Sequence, residues 1–176
     1  MLILLFSCSI LKPTPDASVA LLPIPYIVRE KSDSGLDCKL IDLNGNRKAN
    51  LRNCYQGDGG PLVLQEIDLN NDEKMDITTI FNANSQKERE EHDLDYDGVP
   101  EWVDHFEEDV RTMTEIDSNI DRKVDIRLFY NEGKVFRKEK DNNFDGSFEL
   151  LMTINEEGEF DVQELDEQPV MKEVAQ

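Results

Sequence analysis

Apolar and polar residues alternate in short runs along most of the chain, and the runs come in pairs. Val124-Asp125-Ile126-Arg127-Leu128-Phe129-Tyr130 alternates as a half-buried strand does. Asn131-Glu132-Gly133 follows, then Lys134-Val135-Phe136-Arg137. This reads as strand, Gly-containing turn, strand. Phe148 to Ile154, Asn155-Glu156-Glu157-Gly158 and Glu159 to Leu165 repeat the unit. Aligned copies carry apolar residues at fixed offsets: Ala49, Met75, Pro100, Val124 and Phe148, then Leu51, Ile77, Trp102, Ile126 and Leu150 two residues later. Four residues further on stand Tyr55, Phe81, Phe106, Tyr130 and Ile154. Residues at even separations share a strand face, so the pattern predicts an aliphatic row and a mainly aromatic row across a sheet. Ile41, Ile67 and Ile116 prolong the aliphatic set, with His92 and Lys140 interrupting it. One hairpin cannot bury such rows alone, but stacked copies can. The expected fold is all-β: an antiparallel meander of five hairpin repeats over residues 36–166, as an open twisted sheet or a solenoid.

Polar loops separate the hairpins, and they also repeat. Their first residues are Asp42, Asp68, Asp93, Asp117 and Asp141, spaced by 26, 25, 24 and 24. Numbered from that residue, positions 1, 3, 5 and 9 supply side-chain oxygens. The sets are Asp68, Asn70, Asp72 and Asp76; Asp93, Asp95, Asp97 and Glu101; Asp117, Asn119, Asp121 and Asp125; and Asp141, Asn143, Asp145 and Glu149. A hard dication such as calcium takes six to eight oxygens, and alternate residues of a tight turn can direct them inward. Gly98 and Gly146 at position 6 permit the sharp bend, whereas Glu73 and Arg122 stand there in the other two loops. The two Gly-containing loops are expected to bind calcium best. In the first loop Asp42 is joined by Asn44, Asn46 and Asn50, with Arg47 and Lys48 alongside; a turn without metal is expected there.

Charge narrows the function. Thirty-nine acidic against 19 basic residues give a formal net charge of −20. Nucleic acid is excluded as a partner, since its phosphates need Lys and Arg, and so is direct attraction to anionic lipid. The same self-repulsion would destabilise a compact metal-free chain, which bound cations would relieve. No catalytic set stands out: His92 and His105 lie in no metal-binding spacing, and no nucleophile elbow or phosphate loop is present. A column of Glu66, Glu91, Glu115, Glu139 and Glu164 recurs two residues before each next loop or its expected place, with Arg52, Arg89, Arg127 and Arg137 as candidate counter-ions. Cys38 and Cys54 lie four residues before Asp42 and four after Asn50. If the first loop joins antiparallel strands, the two face each other, and a disulfide is expected.

Three resemblances add to this reading. Met1 to Cys8, MLILLFSC, resembles the end of a bacterial lipoprotein signal, with Leu5-Phe6-Ser7-Cys8 as the lipobox. The resemblance implies lipidation of Cys8, and Ser9 after it implies the outer membrane. Residues 9–35, with four prolines, follow as an extended tether, unless Val19 to Ile27 packs on the first repeat as an edge segment. The loops resemble the front half of EF-hand and dockerin calcium loops. They lack the bidentate Glu at position 12, where Thr79, Asp104, Leu128 and Met152 stand, so Asp104 alone could serve. Only about 15 residues separate the loops, too few for EF-hand helix pairs. Residues 36–166 are similar to the hairpin-repeat lipoproteins of Gram-negative bacteria, which implies a secreted or outer-envelope location and no known chemistry.

Together these readings give the expectation of a non-enzymatic, calcium-stabilised envelope lipoprotein. It would act as a scaffold, an adhesin or a subunit of a surface assembly, with envelope proteins as partners and membrane contact through its anchor only. The alternative is an accessory or degenerate envelope hydrolase whose acids do chemistry. A polar tail over 167–176 closes the chain.

Overall fold

The computed structural model describes residues 26–155 and 157–165, and structural statements concern these residues. Twelve strands alternate with loops: β1 (Tyr26–Lys31), β2 (Asp37–Asp42), β3 (Leu51–Tyr55), β4 (Leu62–Ile67), β5 (Ile77–Phe81) and β6 (Lys87–His92) make the first half. β7 (Trp102–Glu107), β8 (Val110–Ile116), β9 (Ile126–Asn131), β10 (Lys134–Lys140), β11 (Leu150–Ile154) and β12 (Phe160–Glu164) make the second. Each strand pairs antiparallel with the next, and the sheet order is the chain order. The fold is therefore an open meander with β1 and β12 as its edges. The strand pattern starts at Tyr26 rather than Leu36, because Tyr26–Lys31 pairs along β2 in full register. That part of the expected tether is a strand. Residues 32–35 of it form the turn into β2; residues 9–25, the signal-like run with Cys8, and the tail 167–176 lie outside the described residues.

The two faces follow from strand parity. On one face an aliphatic row nearest the acidic loops runs through Ile41, Leu51, Ile67, Ile77, His92, Trp102, Ile116, Ile126, Lys140 and Leu150. The residues of the expected aromatic row, Tyr55, Phe81, Phe106, Tyr130 and Ile154, lie four positions along on the same strands. Between them runs a row that apolar patterning does not announce: Asn53, Gln65, Thr79, Glu90, Asp104, Thr114 and Leu128. Its centre is buried, at Thr79, Asp104 and Thr114. These polar groups are admissible there because they bond each other: Thr79 donates to Glu90 (3.0 Å), and Thr114 donates to Asp104.

The opposite face carries Arg52, Glu66, Thr78, Glu91, Val103, Glu115, Arg127 and Glu139 in one row. The expected glutamate column is thus present, but a strand intervenes between successive members. Arginines from the same face pair with it: Arg52–Glu66 (2.8 Å), Arg89–Glu91 (3.0 Å), Arg127–Glu115 (3.0 Å), and Arg137–Glu139. Glu164 departs from the column. Four hairpins contain a one-residue bulge, which leaves Val63, Glu88, Thr112 and Phe136 unpaired, whereas the last hairpin has none. A shift of one residue exchanges the two faces of a strand. Gln163 therefore takes the place opposite Leu151, and Glu164 lies opposite Leu150 in the aliphatic row.

Cys38 and Cys54 are direct cross-strand partners on β2 and β3 and form a disulfide, with Cα atoms 4.0 Å apart and both side chains buried. The expected clasp around the first loop is present.

Candidate metal centre

All five polar loops emerge at one end of the strands, and the short turns emerge at the other. The loops share one backbone course. Position 4 has positive φ in every copy (Gly45 78°, Asn71 65°, Tyr96 68°, Ile120 64°, Phe144 63°), and so does position 6 (Arg47 71°, Glu73 75°, Gly98 98°, Arg122 72°, Gly146 98°). Glycine at position 6 is thus favourable but not required for the bend; Glu73 and the two arginines adopt the same region at a conformational cost.

Side-chain oxygens hold this course. The position-1 Asp caps the turn: Gly45 and Arg47 N–H donate to Asp42 (both 2.7 Å), and Phe144 and Gly146 N–H donate to Asp141 (both 2.7 Å). Position 3 accepts from the amide of position 5, as Asp97 N–H to Asp95 shows (3.0 Å), and position 5 accepts from that of position 7, as Val99 N–H to Asp97 shows (2.8 Å). The position-9 carboxylate reaches back to the start of its loop. Leu69 N–H donates to Asp76 Oδ2 (2.6 Å), Leu94 N–H to Glu101 Oε2 (2.7 Å), and Ser118 N–H to Asp125 Oδ2 (2.7 Å). Successive loops are also stitched by backbone: Asp68 N–H donates to Asn50 O, Asp93 to Asp76, Asp117 to Glu101 and Asp141 to Asp125.

The predicted ligands thereby converge in three loops. Asp93, Asp95, Asp97 and Glu101 place ligand oxygens within 4.8 Å of one another, as do Asp117, Asp121 and Asp125, and Asp141, Asp145 and Glu149. Asn119 and Asn143 belong to the same turns, and each accepts a backbone N–H two residues on. Asp68, Asn70, Asp72 and Asp76 share the backbone course, but their carboxylates are not among the convergent sets. The chemistry left over in the loops fits a cation. Asp76 and Asp125 are 2% and 0% exposed, yet Oδ1 of each is buried and accepts no hydrogen bond; Oε1 of Glu149 is in the same condition. A buried, unpaired oxygen of this kind costs about 1–3 kcal/mol or more. Coordination of a hard cation would remove the cost. The backbone N–H of Ser147 lowers the pKa of the Asp145 carboxyl from its ordinary value. Acidic clusters able to hold a metal ion are therefore a property of this edge.

Two side chains are placed where spacing alone does not put them. Arg122 does not turn toward its own loop; its guanidinium lies 3.5 Å from Asp97 of the preceding one. Asp104 does not serve as a position-12 ligand. It lies in the buried middle row, where Thr114 donates to Oδ1 and Arg111 approaches Oδ2 at 3.1 Å. There it forms with Glu90 and His92 a further group whose ligand atoms lie within 4.8 Å of one another. Parity could have revealed it: Glu90 and His92 are two apart on β6, and Asp104 pairs with Glu90. Lys87, Arg111 and two threonines compensate this group, which makes it an ion-pair network within the sheet. Burial raises the Glu90 pKa, but hydrogen bonds from Lys87 and Thr79 outweigh it and hold the group below its usual range. His105, on the other face, meets Glu115 at 3.0 Å. No helix among the described residues is long and apolar enough to cross a membrane. No family model matches the chain, and no curated protein matches it.

Proposed function

We propose that this chain is a non-enzymatic, calcium-stabilised repeat module of the cell envelope, held there by a lipid on Cys8 and serving as a scaffold, an adhesin or a subunit of a surface assembly. The observation that carries the metal reading is the pair of buried, unpartnered oxygens Asp125 Oδ1 and Glu149 Oε1, each in a loop whose carboxylates converge. Calcium suits them because every donor in the loops is a hard oxygen. Asp93, Asp95, Asp97 and Glu101 form the most acidic set, and Asp117, Asp121, Asp125 and then Asp141, Asp145, Glu149 follow it along the edge. The disulfide supports an oxidising compartment such as the envelope.

Without a position-12 carboxylate the sites should be weak, on the order of 10⁻⁴–10⁻³ M, as in extracellular modules. Ligand binding to the native state alone raises stability by mass action. The melting temperature should therefore climb as calcium rises through the millimolar range and fall back with chelator. A melt indifferent to both would remove the metal reading. Turnover of glycosides or phosphoesters with calcium present, lost in Asp→Asn loop variants, would favour the hydrolase alternative instead.

A further inference from the structure

The loop edge displays a second set of side chains that cation binding does not use. Leu43, Leu69 and Leu94 at position 2, and Tyr96, Ile120 and Phe144 at position 4, are exposed apolar residues standing among the carboxylates. Leu94 is 60% exposed and Ile120 52%. The second group bears two costs at once. Its side chains face water, and its backbone has the positive φ that Gly45 and Asn71 adopt easily in the first two loops. A β-branched residue such as Ile120 in that region is a genuine conformational outlier. Hydrogen bonds from Ile120 and Phe144 N–H to Asp117 and Asp141 hold the turn, but the apolar side chains remain exposed. Strain of this sort, with exposed apolar surface at the same atoms, marks a contact made outside the molecule.

The spacing selects the kind of contact. Successive loops lie two strands apart, so the apolar tips recur about every 10 Å. Within each loop the tips alternate with the oxygen-bearing positions 1, 3 and 5, unlike the packed, desolvated patch on which a protein partner builds its strongest contacts. A line of separate tips suits a soft amphiphilic boundary that each can enter alone. The donor sets point the same way. Thr79, Asp104, Leu128 and Met152, which occupy position 12, lie in the middle row of the sheet, so a loop-held cation keeps capacity for oxygens from outside. The loop 93–101 has four carboxylates and no basic residue; a bound dication would halve that formal charge and offer headgroup phosphate a coordination position.

We propose that the acidic loop edge docks on a phospholipid surface when calcium is bound. Headgroup phosphates would meet the loop-held cations, and Leu94, Tyr96, Ile120 and Phe144 would enter the boundary between headgroups and acyl chains. This rests on the metal reading above and is separable from it by experiment. The full chain is sedimented with phosphatidylcholine–phosphatidylglycerol vesicles, in calcium and in chelator, and its melt is followed under the same conditions. Only the calcium-dependent increment counts, since the apolar N-terminal run can partition without metal. The comparison is a triple variant, Tyr96→Asn, Ile120→Asn and Phe144→Asn, which places at each position a residue that tolerates positive φ and so preserves the fold. Native protein should gain vesicle binding with calcium. The triple variant should lose about tenfold or more of that gain, with its calcium-dependent melt shift intact. A melt shift without calcium-dependent sedimentation, or equal sedimentation by the variant, overturns the docking and leaves the metal reading standing. Absence of any melt shift removes both. Calcium-dependent self-association without vesicle binding would instead assign the edge to a second copy of the chain.

Discussion

Position 6 of the loops shows what one residue decides. Gly98 and Gly146 occupy it at φ 98°, while Glu73 and Arg122 are held at 75° and 72°. A side chain in the left-handed region costs about 1–2 kcal/mol, and glycine recovers that at the expense of about 0.4–1 kcal/mol of unfolded-chain entropy. Arg122→Gly should therefore stabilise the protein by about 0.5–1 kcal/mol, read as a higher denaturant midpoint with an unchanged slope. On the calcium reading proposed above, it should also strengthen binding by removing a cation that lies against Asp97. A lower midpoint would mean that the Arg122–Asp97 pair contributes more than the strain costs. The oxygen-bearing positions were legible in the sequence because ligand chemistry forces them into alternation. The unpaired state of Asp76 Oδ1 and Asp125 Oδ1 was not, since it depends on which backbone amides fold back onto each carboxylate.

At the scale of elements, alternation predicted the hairpins, the common face of Leu51 and Tyr55 with their equivalents, and the pairing of Cys38 with Cys54. It could not show the bulges at Val63, Glu88, Thr112 and Phe136, because an unpaired residue shifts register without altering composition. Glu164 illustrates the result: its sequence place repeats that of Glu139, yet the unbulged last hairpin carries it to the other face. The polar middle row was hidden for another reason. Thr79, Glu90, Asp104 and Thr114 look like solvated positions until their mutual hydrogen bonds are seen. The disulfide belongs to this scale too, as a clasp across one hairpin with a sequence separation of 16. Closing a loop of that size stabilises by about 3 kcal/mol in the chain-entropy account. Reduction, or Cys38→Ala with Cys54→Ala, should lower stability by about that amount. Because strands contact only their sheet neighbours, the loss should fall on β1 to β4. Amide exchange resolved by peptide should show it there, and equal loss across β5 to β12 would contradict a neighbour-only architecture.

The described residues form one layer in which every strand touches only the strands beside it. Stability in such an array is close to a sum over units and their shared borders. Native-state exchange should therefore be slowest in the middle strands, β5 to β9, and fastest in β1 and β12, which have one neighbour each among the described strands. Uniform protection would indicate all-or-none opening instead. The fold class was readable because twelve strands in chain order need no long-range crossover, whereas the open ending of the sheet, as against a closed solenoid, rests on twist and register that no local pattern records. The same order governs how the molecule bears load. Its first and last strands lie at opposite edges, so tension between them runs across the strands rather than along them. Hydrogen bonds loaded in that direction open one after another, and the sheet would pay out hairpin by hairpin at low force, as a zipper does. The Cys38–Cys54 bond interrupts this at one point. Force arriving through β2 would pass directly into β3 through sulfur, leaving the first loop slack and the repeats beyond it to act as the extensible part.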